Sequence, residues 1–91
     1  MRFEWDEKKR LINLQRHGID FADVSEVFAN DTFVVLDNRY DYGETRFVTF
    51  GLIDGEVVAV VNTDNEDVIR VISIRKATKN EQIIYFNEIR N

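Results

Sequence analysis

The chain has 91 residues, no cysteine, one histidine and a formal net charge of -5. This length allows a single domain with one modest hydrophobic core, which we expect to span residues 1–91. The lack of cysteine excludes disulfides and thiolate metal sites, and one histidine excludes a multi-histidine metal site, so we expect no cofactor.

The charges are distributed unevenly along the chain. Residues 1–19 hold five cations and three acidic residues, residues 20–67 hold two and twelve, and residues 68–91 hold five and two. The negative total argues against a simple nucleic-acid-binding protein, but the two basic ends can form one patch if the fold joins them. Alternatively, these charges only solvate helices. No apolar run has the length of a signal peptide or a membrane span, so we expect a cytoplasmic protein without membrane contacts.

Helical signals dominate the first third of the chain. Asp6 is a typical N-cap residue and Gly18 a typical helix stop, which predicts a first helix over about residues 6–17. A second cap at Asp20 is followed by apolar residues at helical spacing, which predicts a short helix near residues 21–29.

The rest of the chain is predicted to form strands, with one closing helix. Apolar segments predict strands at 33–37, 45–53, 57–61 and 68–76, with a loop at 62–67. Asp54-Gly55 is a two-residue hairpin turn, and Thr78 and Glu81 match the capping box that opens a helix. We therefore predict one small α+β domain of order α-α-β-β-β-β-α. Its sheet is expected to be four-stranded and mainly antiparallel, with the first two helices packed together on one face.

Several short motifs, spread over nearly the whole chain, carry a family resemblance. They are Phe3 to Asp6, Lys9, Asn13, Arg16 to Ile19, Phe21, Phe28, Gly43 to Arg46, Gly51, Arg70 to Ala77, Glu81 and Tyr85. In these motifs the chain resembles the BrnT family, the toxin half of a bacterial type II toxin–antitoxin pair. It departs from the family pattern at Arg16, where lysine is usual, and at Ile74, where alanine is usual.

The resemblance implies a RelE-like ribonuclease fold, with helices against an antiparallel sheet. It also implies cleavage of RNA that stalls translation. The implied protein partner is a small antitoxin, typically a ribbon-helix-helix DNA-binding protein, so that the toxin meets DNA only through its antitoxin.

Four cations are candidates for binding the RNA phosphate: Arg46, Arg70, Arg75 and Lys76. RNA is cleaved without a metal when its 2′-OH attacks the adjacent phosphate, and guanidinium groups match phosphate oxygens in pairs. Strict alternation along a strand puts Arg70 and Arg75 on opposite sheet faces, so both reach one phosphate only if the strand ends or bulges between them. The alternative is that they form structural ion pairs.

Three further side chains are candidates for catalysis. His17 is the residue type that exchanges protons near neutral pH, and it falls at a helix end that favours the protonated imidazole, which suits a general acid. Its alternative role is as a helix cap. Glu81 is a candidate base, although the capping box explains it without catalysis. Tyr85 lies one turn after Glu81 and can contact a base or a phosphate, or simply belong to the core.

The N-terminal region adds three candidates for RNA binding. These are the cations Lys9 and Arg16 and the single tryptophan, Trp5, which can stack on a base. The alternative for Trp5 is a packing anchor in front of the first helix.

Two classes of function remain open from the sequence. The first is a metal-independent endoribonuclease toxin, and the second is a non-catalytic module that binds a protein partner. Apolar residues on both parities of the strand at 45–53 indicate that a small domain leaves part of its sheet uncovered. We expect an antitoxin to cover that part and to place acidic groups on the basic ends.

Overall fold

The computed structural model describes residues 1–90. Its elements in chain order are β1 (Arg2–Trp5), α1 (Glu7–His17), a 3-10 turn (Phe21–Asp23), α2 (Val24–Ala29), β2 (Phe33–Asp37), β3 (Arg46–Ile53), β4 (Glu56–Asn65), β5 (Val68–Lys76) and α3 (Lys79–Arg90). The five strands form one mixed sheet in the order β1-β5-β4-β3-β2. No helix in this part of the chain is long and apolar enough to cross a membrane.

The prediction of a four-stranded, mainly antiparallel sheet is wrong, although the α+β class is right. The missed strand is β1, which pairs in parallel with β5, from Arg2 opposite Val68 to Trp5 opposite Val71. Since β1 precedes the first helix, the element order also differs from the predicted one. The loop predicted at 62–67 is wrong as well, because β4 runs to Asn65 and only Glu66 and Asp67 turn the chain.

Local signals set most element boundaries as predicted. The carboxylate of Asp6 accepts a hydrogen bond from the Lys9 backbone, and Gly18 ends α1 in the left-handed conformation with φ 71°. The hairpin turn is confirmed, since Asp54 and Gly55 both have positive φ and join β3 to β4. The predicted second helix is divided into the 3-10 turn and α2.

The two faces of the sheet carry separate hydrophobic clusters. On one side, which we call the α2 face, Phe21, Val24 and Val27 pack against Val60 and Ile74. On the other side, the α3 face, α3 contributes Tyr85 to a cluster with residues of β3 and β4 that include Phe50 and Ala59. Helix α1 packs along β5, whereas α2 packs on β3. Helix α3 covers only part of the α3 face of the sheet. The candidate site lies on the uncovered part.

Candidate functional site

A β-bulge in β5 decides where the two arginines of that strand point. Ser73 pairs with Val61 and Val71 pairs with Asn62, so Ile72 is an extra residue without a partner in β4. The extra residue reverses the alternation of side chains along β5, which is why Val71 and Ile74 both belong to the cluster on the α2 face. Arg70 and Arg75 therefore both point to the α3 face. The sequence left open whether the strand bulges between these two arginines, and the pairing of β5 with β4 shows that it does.

Arg70 is joined to a second arginine by a shared carboxylate. Its Nη2 lies 2.6 Å from both carboxylate oxygens of Glu44, and Nε of Arg46 donates to Glu44 Oε2 at 2.9 Å. The hydrogen bond from Arg46, followed by that from Arg70, lowers the pKa of Glu44. The guanidinium of Arg46 also covers the ring of Tyr42 at 4.1 Å. Both cations are held in place, and the Arg70 side chain keeps 37% of its surface exposed.

Arg75 is held by the first turn of α3. Its two terminal nitrogens donate to the two oxygens of Glu81 at 2.7 and 3.0 Å. Glu81 also accepts from the backbone of Thr78, whose hydroxyl accepts from the Glu81 N–H, so the predicted capping box is confirmed. The hydrogen bond from Arg75 is the main cause that lowers the pKa of Glu81 to about 2, and the same bond raises the pKa of Arg75. A carboxylate so committed is a poor proton acceptor.

A fourth arginine of this face was missed by the sequence analysis. Arg39 follows β2 and donates from Nε and Nη2 to the two oxygens of Asp37 at 2.8 and 3.0 Å. Asp37 is buried, and the bonds from Arg39 are the main cause that lowers its pKa. The polar loop after β2 has no periodic pattern from which its position could be predicted. Its place relative to β5 depends on the order of the strands in the sheet. The spacing Asp37-x-Arg39 was the one available clue.

These four arginines, Arg39, Arg46, Arg70 and Arg75, will be called the arginine face. Each one is anchored by a carboxylate, and each keeps part of its side chain exposed. Beyond Arg70 lies a groove of about 680 Å³ whose rim also bears Glu4, Asp64 and Glu66. The acidic rim makes the space beyond Arg70 unfavourable for an anion.

His17 lies in a different groove, at the edge of the sheet. It is the last residue of α1 and is exposed, and Gly18 rather than His17 supplies the helix cap. Within residues 1–90 its imidazole has no hydrogen-bond partner. Lys9 and Arg16 line the same groove, which reaches β5 at Ile72 and Ser73. The histidine groove thus meets the strand at the bulge, between Arg70 and Arg75.

The remaining candidates have structural contacts. The Tyr85 side chain is fully buried, and its hydroxyl donates to the Asp31 carbonyl at 2.7 Å, so its ring is not available for stacking. Trp5 packs edge-on against Phe21 on the α2 face and is half-buried. Lys76 is exposed, with its Nζ 3.7 Å from Glu56. The structure does not bring Tyr85, Trp5 or Lys76 to the arginine face.

The described residues hold no cluster of three or more His, Cys, Asp or Glu side chains that could bind a metal ion. The charged side chains at the arginine face are guanidiniums and carboxylates, with one imidazole at the neighbouring edge.

The chain matches the model of a known protein family. The model of the ribonuclease toxin, BrnT, of type II toxin–antitoxin systems matches residues 5–81. No curated protein matches the chain. The matched range includes the bulge, all four arginines of the arginine face and His17.

Proposed function

The chain belongs to the BrnT family of ribonuclease toxins of type II toxin–antitoxin systems, and we propose that it cleaves RNA at the arginine face without a metal ion. The observation that carries this proposal is the bulge at Ile72, because it brings Arg70 and Arg75 to one face. Two anchored guanidiniums on one side of a strand supply the charge that a developing phosphorane dianion requires.

The proposed reaction is a displacement at phosphorus. The 2′-oxygen attacks the adjacent phosphate and gives its proton to a base, while the bond from phosphorus to the 5′-oxygen breaks. The leaving oxygen takes a proton from an acid, and the products are a 2′,3′-cyclic phosphate and a 5′-hydroxyl. Electrons and protons balance without a redox partner or a metal ion.

We assign the acid role to His17. Its imidazole is exposed and unpaired within the described chain, and its groove reaches β5 beside the bulge. Lys9 and Arg16 in that groove favour an anionic strand of RNA next to the imidazole. Binding of RNA in both grooves would place a phosphate across the edge of β5.

Glu81 is assigned a positioning role rather than that of the base. Its carboxylate accepts three hydrogen bonds, two from Arg75 and one from the Thr78 backbone, and its low pKa makes proton uptake unfavourable. Glu44 is the other carboxylate of the site that touches an arginine of β5, and it is more exposed than Glu81. We assign the base role to a water molecule, because the hydrogen bonds from Arg46 and Arg70 also lower the pKa of Glu44.

Membership in a type II family implies a protein antitoxin as partner. We propose that it is a ribbon-helix-helix protein, that it silences the toxin, and that DNA is contacted only through it. Exposed apolar side chains on α1 and α3, among them Leu11, Leu14, Ile83 and Phe86, are available for this contact. Acidic groups of the antitoxin would complement the cations at the two basic ends of the chain, so added salt should slow association.

The function is tested by incubating the purified protein with cellular RNA in the presence of a chelator. Primer extension then maps new 5′ ends, and incorporation of labelled amino acids follows translation after induction in a bacterium without the antitoxin. We expect discrete new ends, 5′-hydroxyl termini and a fall in translation. Intact RNA and undisturbed translation would favour the non-catalytic interaction module instead, and cleavage that stops on chelation would contradict the metal-free mechanism.

A further inference from the structure

We propose that the groove between Arg39 and Arg75 is a nucleotide-binding subsite, which holds one nucleotide of the RNA with its base on an apolar floor. This inference rests on the proposed function, because it names where the substrate lies next to the reacting phosphate. It assigns to Arg39 a role in substrate binding that neither the family match nor the sequence motifs indicated.

The floor of the groove is a row of valines across three strands. Val61 of β4 pairs with Val48 of β3, which pairs in turn with Val35 of β2. Paired residues share a sheet face, so all three point to the α3 face. Helix α3 packs on the next row, which contains Phe50 and Ala59; Val48 of this row touches that cluster but stays only partly buried. Val35 accordingly keeps 37% of its surface exposed.

The walls of the groove are two guanidiniums. Arg39 stands at the β2 end, fixed by Asp37, and Arg75 stands at the β5 end, fixed by Glu81. The two cations are close enough for the charge of Arg39 to oppose the pKa rise that Glu81 causes at Arg75. Two like charges that face one groove are stabilised by an anion placed between them.

A nucleotide satisfies the floor and the walls together. Its base is a flat apolar surface that can lie on the valines, and guanidinium planes are good partners for a base or a phosphate. A free phosphate would leave the valine floor exposed, and an aliphatic ligand would make no polar contact with the exposed parts of the two guanidiniums. The volume of the groove, about 250 Å³, suits a single flat group rather than a helix.

The test compares two substitutions on one strand that point to opposite faces. Val35→Glu puts a carboxylate on the floor, and Val34→Glu makes the same change at a position with 47% exposure on the opposite side of β2. The probe is a fluorescent RNA octamer with 2′-O-methyl groups, which cannot be cleaved, and binding is followed by anisotropy. We expect Val35→Glu to weaken binding about tenfold or more, and Val34→Glu about twofold at most.

A second pair of variants tests the wall. Arg39→Gln should weaken binding about three- to tenfold and should reduce the slope of log affinity against log salt by about 0.7, the value of one phosphate contact in a single strand. Arg90→Gln makes the same charge change at the end of α3 and should leave both quantities unchanged. Since Arg39→Gln leaves buried Asp37 without its cation, circular dichroism checks the fold, and Val35→Glu tests the subsite without disturbing that pair.

Cleavage of ordinary RNA by the unmodified protein is measured in parallel. If the unmodified protein cleaves RNA but Val35→Glu and Val34→Glu bind the octamer equally well, the subsite is refuted and the proposed function stands. If the unmodified protein neither binds nor cleaves RNA, both proposals fail. Binding that falls with Val35→Glu alone, in a folded protein, supports the subsite.

Discussion

The side chain of Asn13 takes the place of a neighbouring strand for Ile74. Its Nδ2 donates to the Ile74 carbonyl at 2.8 Å, and its Oδ1 accepts from the Ile74 N–H at 3.1 Å. Strand β1 ends at Trp5, so β5 has no partner strand on this side beyond Val71. One buried amide on α1 thereby satisfies both backbone groups of a core residue and fixes α1 against the part of β5 that carries the bulge.

Asn13→Ala should destabilise the protein by about 2–4 kcal/mol. The substitution leaves the buried N–H and C=O of Ile74 without partners, and each unsatisfied group is costly. The free energy of unfolding in urea measures the effect. Gln15→Ala, an exposed change on the same helix, is the control and should stay within about 0.5 kcal/mol. Equal stability of the two variants would contradict the role of Asn13.

Gly51 is required by the close approach of α2 to β3. A Cβ at this position would lie 2.7 Å from Cγ1 of Val27, so Gly51→Ala should cost about 1–3 kcal/mol through overpacking. Val27→Ala removes the clashing methyl group. In a double-mutant cycle we expect Gly51→Ala to cost at least about 1 kcal/mol less in the Val27→Ala background. Strict additivity in thermal or urea unfolding would show that the contact does not limit this position.

The ion pair of Glu81 with Arg75 should make stability depend on pH in the acid range. Because the folded-state pKa of Glu81 is about 2 against 4.5 for the free side chain, the stabilisation is complete above about pH 4.5 and is lost as pH falls towards 2. We expect it to amount to about 2 kcal/mol, less than the full pKa difference implies, because solvent screens this partly exposed ion pair. Unfolding free energies of Glu81→Gln should depend less on pH between these limits, whereas Glu88→Gln, an exposed change on the same helix, should behave as the unmodified protein does.

Local signals in the sequence were sufficient for the caps, the hairpin and the capping box, because each depends on residues within four positions of one another. The sequence did not reveal β1, since four residues before a helix cap carry little periodicity and their parallel partner is about 66 positions away. Asn62 to Asn65 have the composition of a loop, yet pairing with β5 makes them strand, so tertiary contacts override propensity here.

The candidate site was only partly predictable for a related reason. Strict alternation places Arg70 and Arg75 on opposite faces of the sheet, which conflicts with a shared phosphate. No glycine marks the bulge at Ile72, so the sequence alone could not resolve this conflict. Arg39 was missed because it lies in an aperiodic loop. The grouping of Glu44 with Arg70, 26 residues apart, depends on the order of strands in the sheet.

His17→Ala separates a catalytic imidazole from a structural one. If His17 protonates the leaving oxygen, the cleavage rate should fall about 10²-fold or more, while the unfolding free energy changes by less than about 0.5 kcal/mol, because Gly18 and not His17 caps α1. A substrate with a 5′-thio leaving group needs no acid and should restore most of the rate. A stable variant that cleaves ordinary RNA at the unmodified rate would exclude His17 from the reaction.

Single-turnover cleavage of a defined RNA with a chelator present shows whether the bulge at Ile72 brings two arginines to one RNA-cleaving face. We predict that Arg70→Gln and Arg75→Gln each lose about 10²-fold or more in rate, as expected for donors to transition-state charge, and that Arg90→Gln loses none. If either variant of β5 is folded and cleaves at the unmodified rate, the two arginines do not act on one phosphate.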